Sequence, residues 1–484
     1  MQKYVGGQKV SWTIAPKPFH SSKTFSIPVE VFLIRALQLI LCFALLIVLH
    51  EGGHFFFAKL FKVRVEKFCL FFDPWFTPLK FNPKGSETTY CLGWLPLGGY
   101  VKISGMIDES MDTEQLKQPV QPWEFRAKPA WQRLLIMVGG VLVNFILAFI
   151  IYSAILFTWG ETYVPMREIS HGFKFSEEAQ QLGFRDGDIL LGTDTKTFTS
   201  FTGDVYRDLS EAHSATVLRD GEEVIIPMPG NLNLLDMLKS QPRFTEILLP
   251  SVVDSILPGS GAAKAGIQPG DQLVGFNGNL FTTVNDFMVF RGSVDDVLAS
   301  GTHEDSLRLR KAEVLVMRSQ GQIDTLTVVL NEDYQLGIVW ANPVLNGEYK
   351  TVTKEYGFFE SIPAGFSHGW GVFAGYVDDL KYLFTADGAK SIGSFGAIGS
   401  LFPKVWDWCR FWELTAFISL ILAFMNILPI PALDGGHVLF LLVEVITGRK
   451  PGDKFLERAQ TIGMTFLLLL MALAIFNDIR NFLF

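Results

Sequence analysis

The segment Leu49-His50-Glu51-Gly52-Gly53-His54 sets two imidazoles four residues apart, with a carboxylate beside the first. On a helix such residues share a face, so His50 and His54 can offer ring nitrogens to one metal ion while Glu51 stands next to them. Zinc suits the pair, because it accepts imidazole and carboxylate ligands and keeps a position open for water. Water activated there is a nucleophile near neutral pH, and Glu51 can take its proton and hand it to a leaving amine. A pattern this short also arises by chance in soluble helices. Here it closes the apolar run Leu39 to Leu49, where ionisable groups cost about 3 kcal/mol each on membrane-insertion scales. A purely structural role leaves that cost unexplained.

Zinc needs a third protein ligand. The candidate lies far along the chain, in Asn426-Ile-Leu-Pro-Ile-Pro-Ala-Leu-Asp434-Gly-Gly-His437. Its prolines and glycines interrupt an apolar helix and leave backbone groups that must find partners in a cavity or in other protein. Asp434 is thereby placed to be an inward-facing ligand. His437 competes for the metal, but its neighbours resume an apolar helix, which favours a supporting or packing role. Asn426 can bond a substrate backbone or the oxyanion that develops on attack; it can equally join two helices.

The elements that must bring positions 50 and 434 together are legible as apolar stretches near the ~20 residues that cross a bilayer. They run from about Val31 to Leu49, Leu134 to Trp159, Leu414 to Leu433 and Thr461 to Phe476. The first lacks a small-residue cleavage site and reads as a retained span. Lys and Arg crowd residues 59–133 and 449–458, which sets those connections on the cytoplasmic side, and residues 160–410 with both termini on the other. With 49% hydrophobic residues and a mean hydropathy of +0.28, the chain mixes membrane helices with water-facing domains. A net charge of -8 without long basic runs argues against nucleic acid as a partner. Cys42, Cys69, Cys91 and Cys409 are too few and too scattered to predict a disulfide framework or a cysteine metal site.

Residues 182–192, LGFRDGDILLG, parallel residues 265–275, AGIQPGDQLVG. Gly-Asp after Asp or Pro is turn chemistry, and the apolar residues that follow read as short strands. The pair resembles tandem PDZ domains, the first copy being the more degenerate. Leu336-Gly337-Ile338 is either a turn that holds peptide C-termini by backbone amides or a plain packing turn. The expected order is a disordered leader over 1–28, a first span with the histidine pair over 29–62, a cytoplasmic region over 63–130 and a second span over 131–160. PDZ-like domains over 165–245 and 246–345 follow, then a helix over 355–410 that lies in the membrane interface or packs on the bundle. A broken third span over 411–447 and a fourth over 459–484 complete it.

The histidine pair in the first span, N-x-x-P-x-x-x-L-D-G in the third and the tandem domains between spans two and three together resemble the bacterial site-2 protease family, regulator-of-sigma-E-protease type, over residues 30–484. The resemblance implies His50, His54 and Asp434 as ligands of one zinc ion per chain, and Glu51 as general base. It implies that Leu95-Pro-Leu-Gly-Gly-Tyr-Val-Lys102 belongs to a β-hairpin dipping into the membrane, where Gly98 and Gly99 meet an unfolded substrate as an added strand. Read alone, that segment is a turn between apolar residues. Gly140-Val-Leu-Val-Asn144-Phe resembles the family's G-P-x-x-N-F with Val141 in place of proline; Asn144 then positions substrate or only ties helices together.

The implied protein is a multi-pass α-helical membrane protein of the cell inner membrane, with four transmembrane helices, the third broken, and two PDZ-like α+β domains on the periplasmic side. The implied activity is intramembrane proteolysis of single-span membrane proteins, such as an anti-sigma factor already trimmed by a first protease, or signal-peptide remnants. Two rivals differ in class. A non-catalytic scaffold would lack one of the four metal-site residues, and all four are present. A zinc transporter needs polar residues along a path, and spans two and four offer little beyond Asn144 and Thr465.

Overall fold

Residues 29–51 contain neither proline nor glycine, and this apolar stretch opens the first helix, α1 (Val29–Leu60). α1 stops where Lys62 takes a φ of +55° and the Val63 N–H turns back to the Ala58 carbonyl at 2.8 Å. The computed structural model describes residues 29–96, 98–106, 118–300, 310–331, 334–385 and 393–483; the leader expected over 1–28 lies outside them. α2 (Ala130–Trp159) starts after Pro129 and ends at Gly160, whose φ of +66° suits glycine. The later membrane-side helices are α3 (Phe358–Asp379), α4 (Phe395–Leu401), α5 (Trp408–Ile427), α6 (Asp434–Thr447) and α7 (Asp453–Leu483). Among the described residues four helices, α1, α2, α5 and most of α7, are long and apolar enough to cross a membrane.

The third span is broken as expected. Pro429 and Pro431 cannot donate to a helix ladder, so the chain leaves α5 after Ile427 and re-enters a helix at Asp434. Ala432 in the break sits at φ +81°, a left-handed conformation unusual for a residue with a Cβ. α2 is the hub of the bundle, packing against α1, α3, α5 and α6. Its contact with α1 runs through facing glycines: a Cβ on Gly53 would lie 2.3 Å from the Gly139 carbonyl oxygen. Buried Arg133 of α2 reaches Glu444 of α6 at 2.5 Å.

The region after α1 forms more than the expected hairpin. β1 (Val65–Leu70), β2 (Leu79–Phe81), β3 (Thr89–Leu92) and β4 (Tyr100–Ile103) make one four-stranded sheet in the order β2-β3-β1-β4. β1 and β3 run parallel, which makes Cys69 and Cys91 register partners with Cα atoms 4.6 Å apart and bonded sulfurs. The expectation of no disulfide framework left this single pair unforeseen. A separation of 22 residues says nothing about a parallel register.

Between α2 and α3 lie two units with separate cores, one around Ile169, Phe173, Leu190, Val217 and Phe244, the other around Val253, Leu273, Phe276, Val314 and Val328. The internal repeat reappears as shared devices. Ser176 caps the helix Glu177–Leu182 and Ser260 caps Gly261–Ala265, each accepting from an N–H three residues on. Gly183 and Gly266 end those helices at φ +116° and +82°. Asp188 then accepts the Arg185 N–H and pairs with Arg219 at 2.7 Å; Asp271 accepts the Gln268 N–H and pairs with Arg318 at 2.6 Å. Leu336 and Gly337 give their carbonyls to Ala262 and Leu257, and a Cβ on Gly337 would lie 2.3 Å from that of Ser260.

α3 lies along α2 with its small residues inward, Gly365 against Ser153 and Gly369 against Phe149 and Tyr152. Phe359, Ile362, Phe366 and Trp370 face out. Its C-terminal end holds the first unit: Arg207 grips Asp379 with two hydrogen bonds of 3.1 and 2.8 Å, and Lys381 reaches Glu211 at 2.6 Å.

Candidate active site

One helical turn of α1 carries His50 and His54 to the same face, and the restart of the third span carries Asp434 to meet them. Asp434 Oδ2 is 3.1 Å from His50 Nε2 and 3.3 Å from His54 Nε2, and the two Nε2 atoms are 3.3 Å apart. The three atoms form a nearly equilateral triangle. A tetrahedron whose centre lies about 2.0–2.1 Å from its corners, the usual zinc-to-nitrogen or zinc-to-oxygen distance, has edges of about 3.3–3.4 Å. Asp434 Oδ2 is buried and receives no hydrogen bond among the described residues. An acceptor left so in an apolar bundle fits a cation. Asp434 is also the first residue of α6, where the helix dipole favours negative charge.

The imidazoles are oriented from behind. His54 Nδ1 is 2.8 Å from the Ile136 carbonyl oxygen; a carbonyl only accepts, so Nδ1 carries the proton and Nε2 keeps its lone pair for the triangle. His50 Nδ1 is 3.3 Å from the side-chain amide of Asn144, a residue wholly buried in α2. The Asn144 backbone carbonyl takes a 2.8 Å hydrogen bond from Ser419 of α5. Glu51, beside His50, has its carboxylate near the Val101 backbone of β4.

Of the glycines in this neighbourhood, Gly98 and Gly99 are expected from the sequence to meet substrate, whereas Gly140 is not marked out for a role of its own. A Cβ on Gly140 would lie 2.4 Å from His54 Nε2 and 2.7 Å from His50 Cε1, so only a hydrogen fits beside the two rings. Gly99 brings the chain before β4 against α1, where a Cβ would sit 2.6 Å from Ile47 Cγ2, one turn ahead of Glu51. At Gly98 the neighbour would be the Phe72 ring, at 2.5 Å. Asn426 occupies the last turn of α5, and no hydrogen bond links it to the triad among the described residues. His437 stands in the first turn of α6, outside the converging group. The other convergence of metal-type side chains among the described residues is Cys69, Asp73 and Cys91. There the sulfurs are bonded to each other and Asp73 is engaged by Lys67, Thr77 and Tyr100.

The model of peptidase family M50 matches residues 38–470. Protease RseP of Yersinia pestis is 27% identical over 467 residues, 91% of this chain and 97% of its own length. Regulator of sigma-E protease RseP of Escherichia coli K12 is 28% identical over 479 residues, 92% and 98% of the two chains. A protein of Ralstonia nicotianae whose name includes the words zinc metalloprotease is 26% identical over 484 residues, 93% and 99% of the two. Because the family match runs from the first span into the fourth and takes in both ends of the triad, the chain belongs to peptidase family M50 and is a membrane zinc metalloprotease of the site-2 type.

Proposed function

We propose that His50, His54 and Asp434 hold the zinc, and that Glu51 is the base for hydrolysis of a peptide bond inside a substrate's membrane-spanning segment. The observation that carries this reading is the triangle of ligand-type atoms at the junction of α1 with the broken third span. Bound there, zinc supplies Lewis acidity toward water and the scissile carbonyl. Glu51, whose carboxylate lies near the Val101 backbone of β4, accepts the proton of the attacking water and returns it to the leaving amine. Ile136 keeps the His54 proton on Nδ1, and Asn144, with its amide oxygen turned toward the ring, does the same for His50.

A peptide bond within a helix is hydrogen-bonded and sterically covered, so the substrate has to unwind before it is attacked. The break over 428–433 offers backbone polar groups at membrane depth, and β4 offers a sheet edge beside Glu51. The unwound segment adds to that edge as a strand past Gly98 and Gly99, and Asn426 hydrogen-bonds its backbone.

The two units between α2 and α3 are PDZ-like domains on the periplasmic face of the inner membrane, with the β1–β4 sheet on the cytoplasmic face. They keep single-span proteins with bulky outer domains from the site until a first protease has trimmed them. An anti-sigma factor is the proposed substrate class, in keeping with the Escherichia relative being called a regulator of sigma-E protease; remnant signal peptides have the same single-span form. The test is cleavage of a trimmed single-span anti-sigma factor in bilayers, with metal content measured alongside, comparing the parent chain with Glu51→Gln. The parent should carry one zinc and cleave; the variant should carry zinc and not cleave. Equal cleavage removes Glu51 from the role of base, and a correctly folded parent without zinc removes the site.

A further inference from the structure

α7 is the least embedded of the membrane-length helices, with Ile462, Phe466 and Leu469 all exposed. Its few buried positions are therefore informative, and those nearest its start are Gln460 and Gly463. Both face the break in the third span. Gln460 is 6% exposed, and its Oε1 accepts the Ala432 N–H at 3.1 Å. Gly463 lies so close beneath Pro431 that a Cβ would fall 1.8 Å from the Pro431 carbonyl oxygen. These contacts meet the chain two and three residues before Asp434.

The residue being held is the one the backbone would release. Ala432 sits at φ +81°, which side-chain-bearing residues adopt only when their surroundings enforce it. Its N–H points away from any helix ladder, and in a hydrocarbon setting a donor of that kind must find an acceptor within the protein. α6 begins two residues later, so the direction in which Asp434 enters the triangle depends on this turn.

We propose that Gln460 is a positioning residue for the metal site: from the fourth span it pins Ala432 in the left-handed turn that delivers Asp434 to His50 and His54. The inference rests on the assignment of Asp434 as a ligand given above. Gly463 permits the close approach that this pin requires.

The test is zinc affinity of the purified full chain by chelator competition, read together with hydrogen exchange across residues 427–436. Gln460→Leu, which removes the acceptor, should weaken zinc binding by about 10- to 100-fold, the range for groups that orient metal ligands. It should also speed exchange in that segment. Gln460→Glu keeps an acceptor at the same reach and should bind close to the parent. Ala432→Gly frees the turn from its dependence on outside support, so in that background Gln460→Leu should cost much less. Parent-like zinc affinity in Gln460→Leu overturns the proposal. So does a loss that neither Gln460→Glu avoids nor Ala432→Gly relieves, since that is the behaviour of a helix-packing residue. A folded parent that binds no zinc overturns the site assignment itself, and the His50→Ala chain measured alongside identifies that case.

Discussion

Asn144 Nδ2 lies 3.3 Å from His50 Nδ1, while Asn144 Oδ1 is buried without a hydrogen-bond partner among the described residues. Turning the amide over gives Oδ1 a partner in the His50 ring. His50 Nδ1–H then donates to Oδ1, and Nε2 keeps its lone pair toward Asp434. The opposite orientation strands an acceptor and forces the imidazole proton onto the metal side. Asn144→Ala should therefore weaken zinc binding about 10- to 100-fold, whereas Asn144→Asp, which retains an acceptor, should stay near the parent. Chelator competition on the three purified chains measures this, and equal affinity for all of them would remove Asn144 from the site.

Gly140 gives a sharper separation of site from scaffold. Alanine is the better helix former by about 1 kcal/mol, so Gly140→Ala should leave the helical content of α2 unchanged by circular dichroism. Its new methyl would nevertheless occupy space 2.4 Å from His54 Nε2. Zinc content should fall to a small fraction of the parent's. A variant that keeps one zinc per chain would mean that the rings move aside at little cost.

Much of this arrangement is legible in the residues themselves, and the failures have physical reasons. His50 and His54 announce themselves because an ionisable pair in an apolar helix is costly, and Asp434 because prolines and glycines break the helix around it. The repeat at Asp188 and Asp271 is legible because turn chemistry is local. Gly53, Gly139 and Gly140 are not, since their role depends on which faces of α1 and α2 meet. β2 and β3 are too short, at three and four residues, to show an alternation. Gln460 lies among Glu457, Arg458 and Thr461 and reads as the solvated flank of a span; only the packing of α7 on Ala432 turns it inward.

The paired aspartates of the two soluble units predict matching, independent losses. Asp188 is 2% exposed and its partner Arg219 is 16% exposed at the side chain. Arg219→Met should cost about 2 kcal/mol, less than the roughly 3–5 for a fully enclosed pair, because Arg219 keeps one side toward water. Arg318→Met should act likewise on the second unit. Hydrogen exchange of the full chain should localise the first loss to residues 165–245 and the second to 246–345, with additive effects in the double variant. Loss spread evenly over both units would contradict their separate cores.

The bond between Cys69 and Cys91 tests the orientation of the chain. The proposed topology sets β1 and β3 toward the cytoplasm, where glutathione keeps thiols reduced. Cells lysed into an alkylating agent should yield both residues alkylated, and the bond should form only when purified protein is oxidised. Recovery of the intact bond from such cells would argue that the sheet faces the oxidising side, and would invert the proposed topology.

The grip of Arg207 on Asp379 should govern how well large substrates are refused. It joins the first soluble unit to the end of α3, and α3 in turn lies along α2, whose Asn144 backs the metal site. A partly exposed, doubly hydrogen-bonded ion pair is worth about 1 kcal/mol, so Arg207→Ala should shift the balance between docked and undocked units about fivefold. If the docked unit is what excludes bulky outer domains, the variant should cleave untrimmed single-span substrate about fivefold faster while its rate on trimmed substrate stays the same. The ratio of the two rates in bilayers is the measurement. An unchanged ratio would mean that size selection lies in the soluble units themselves and not in how they are fastened to α3.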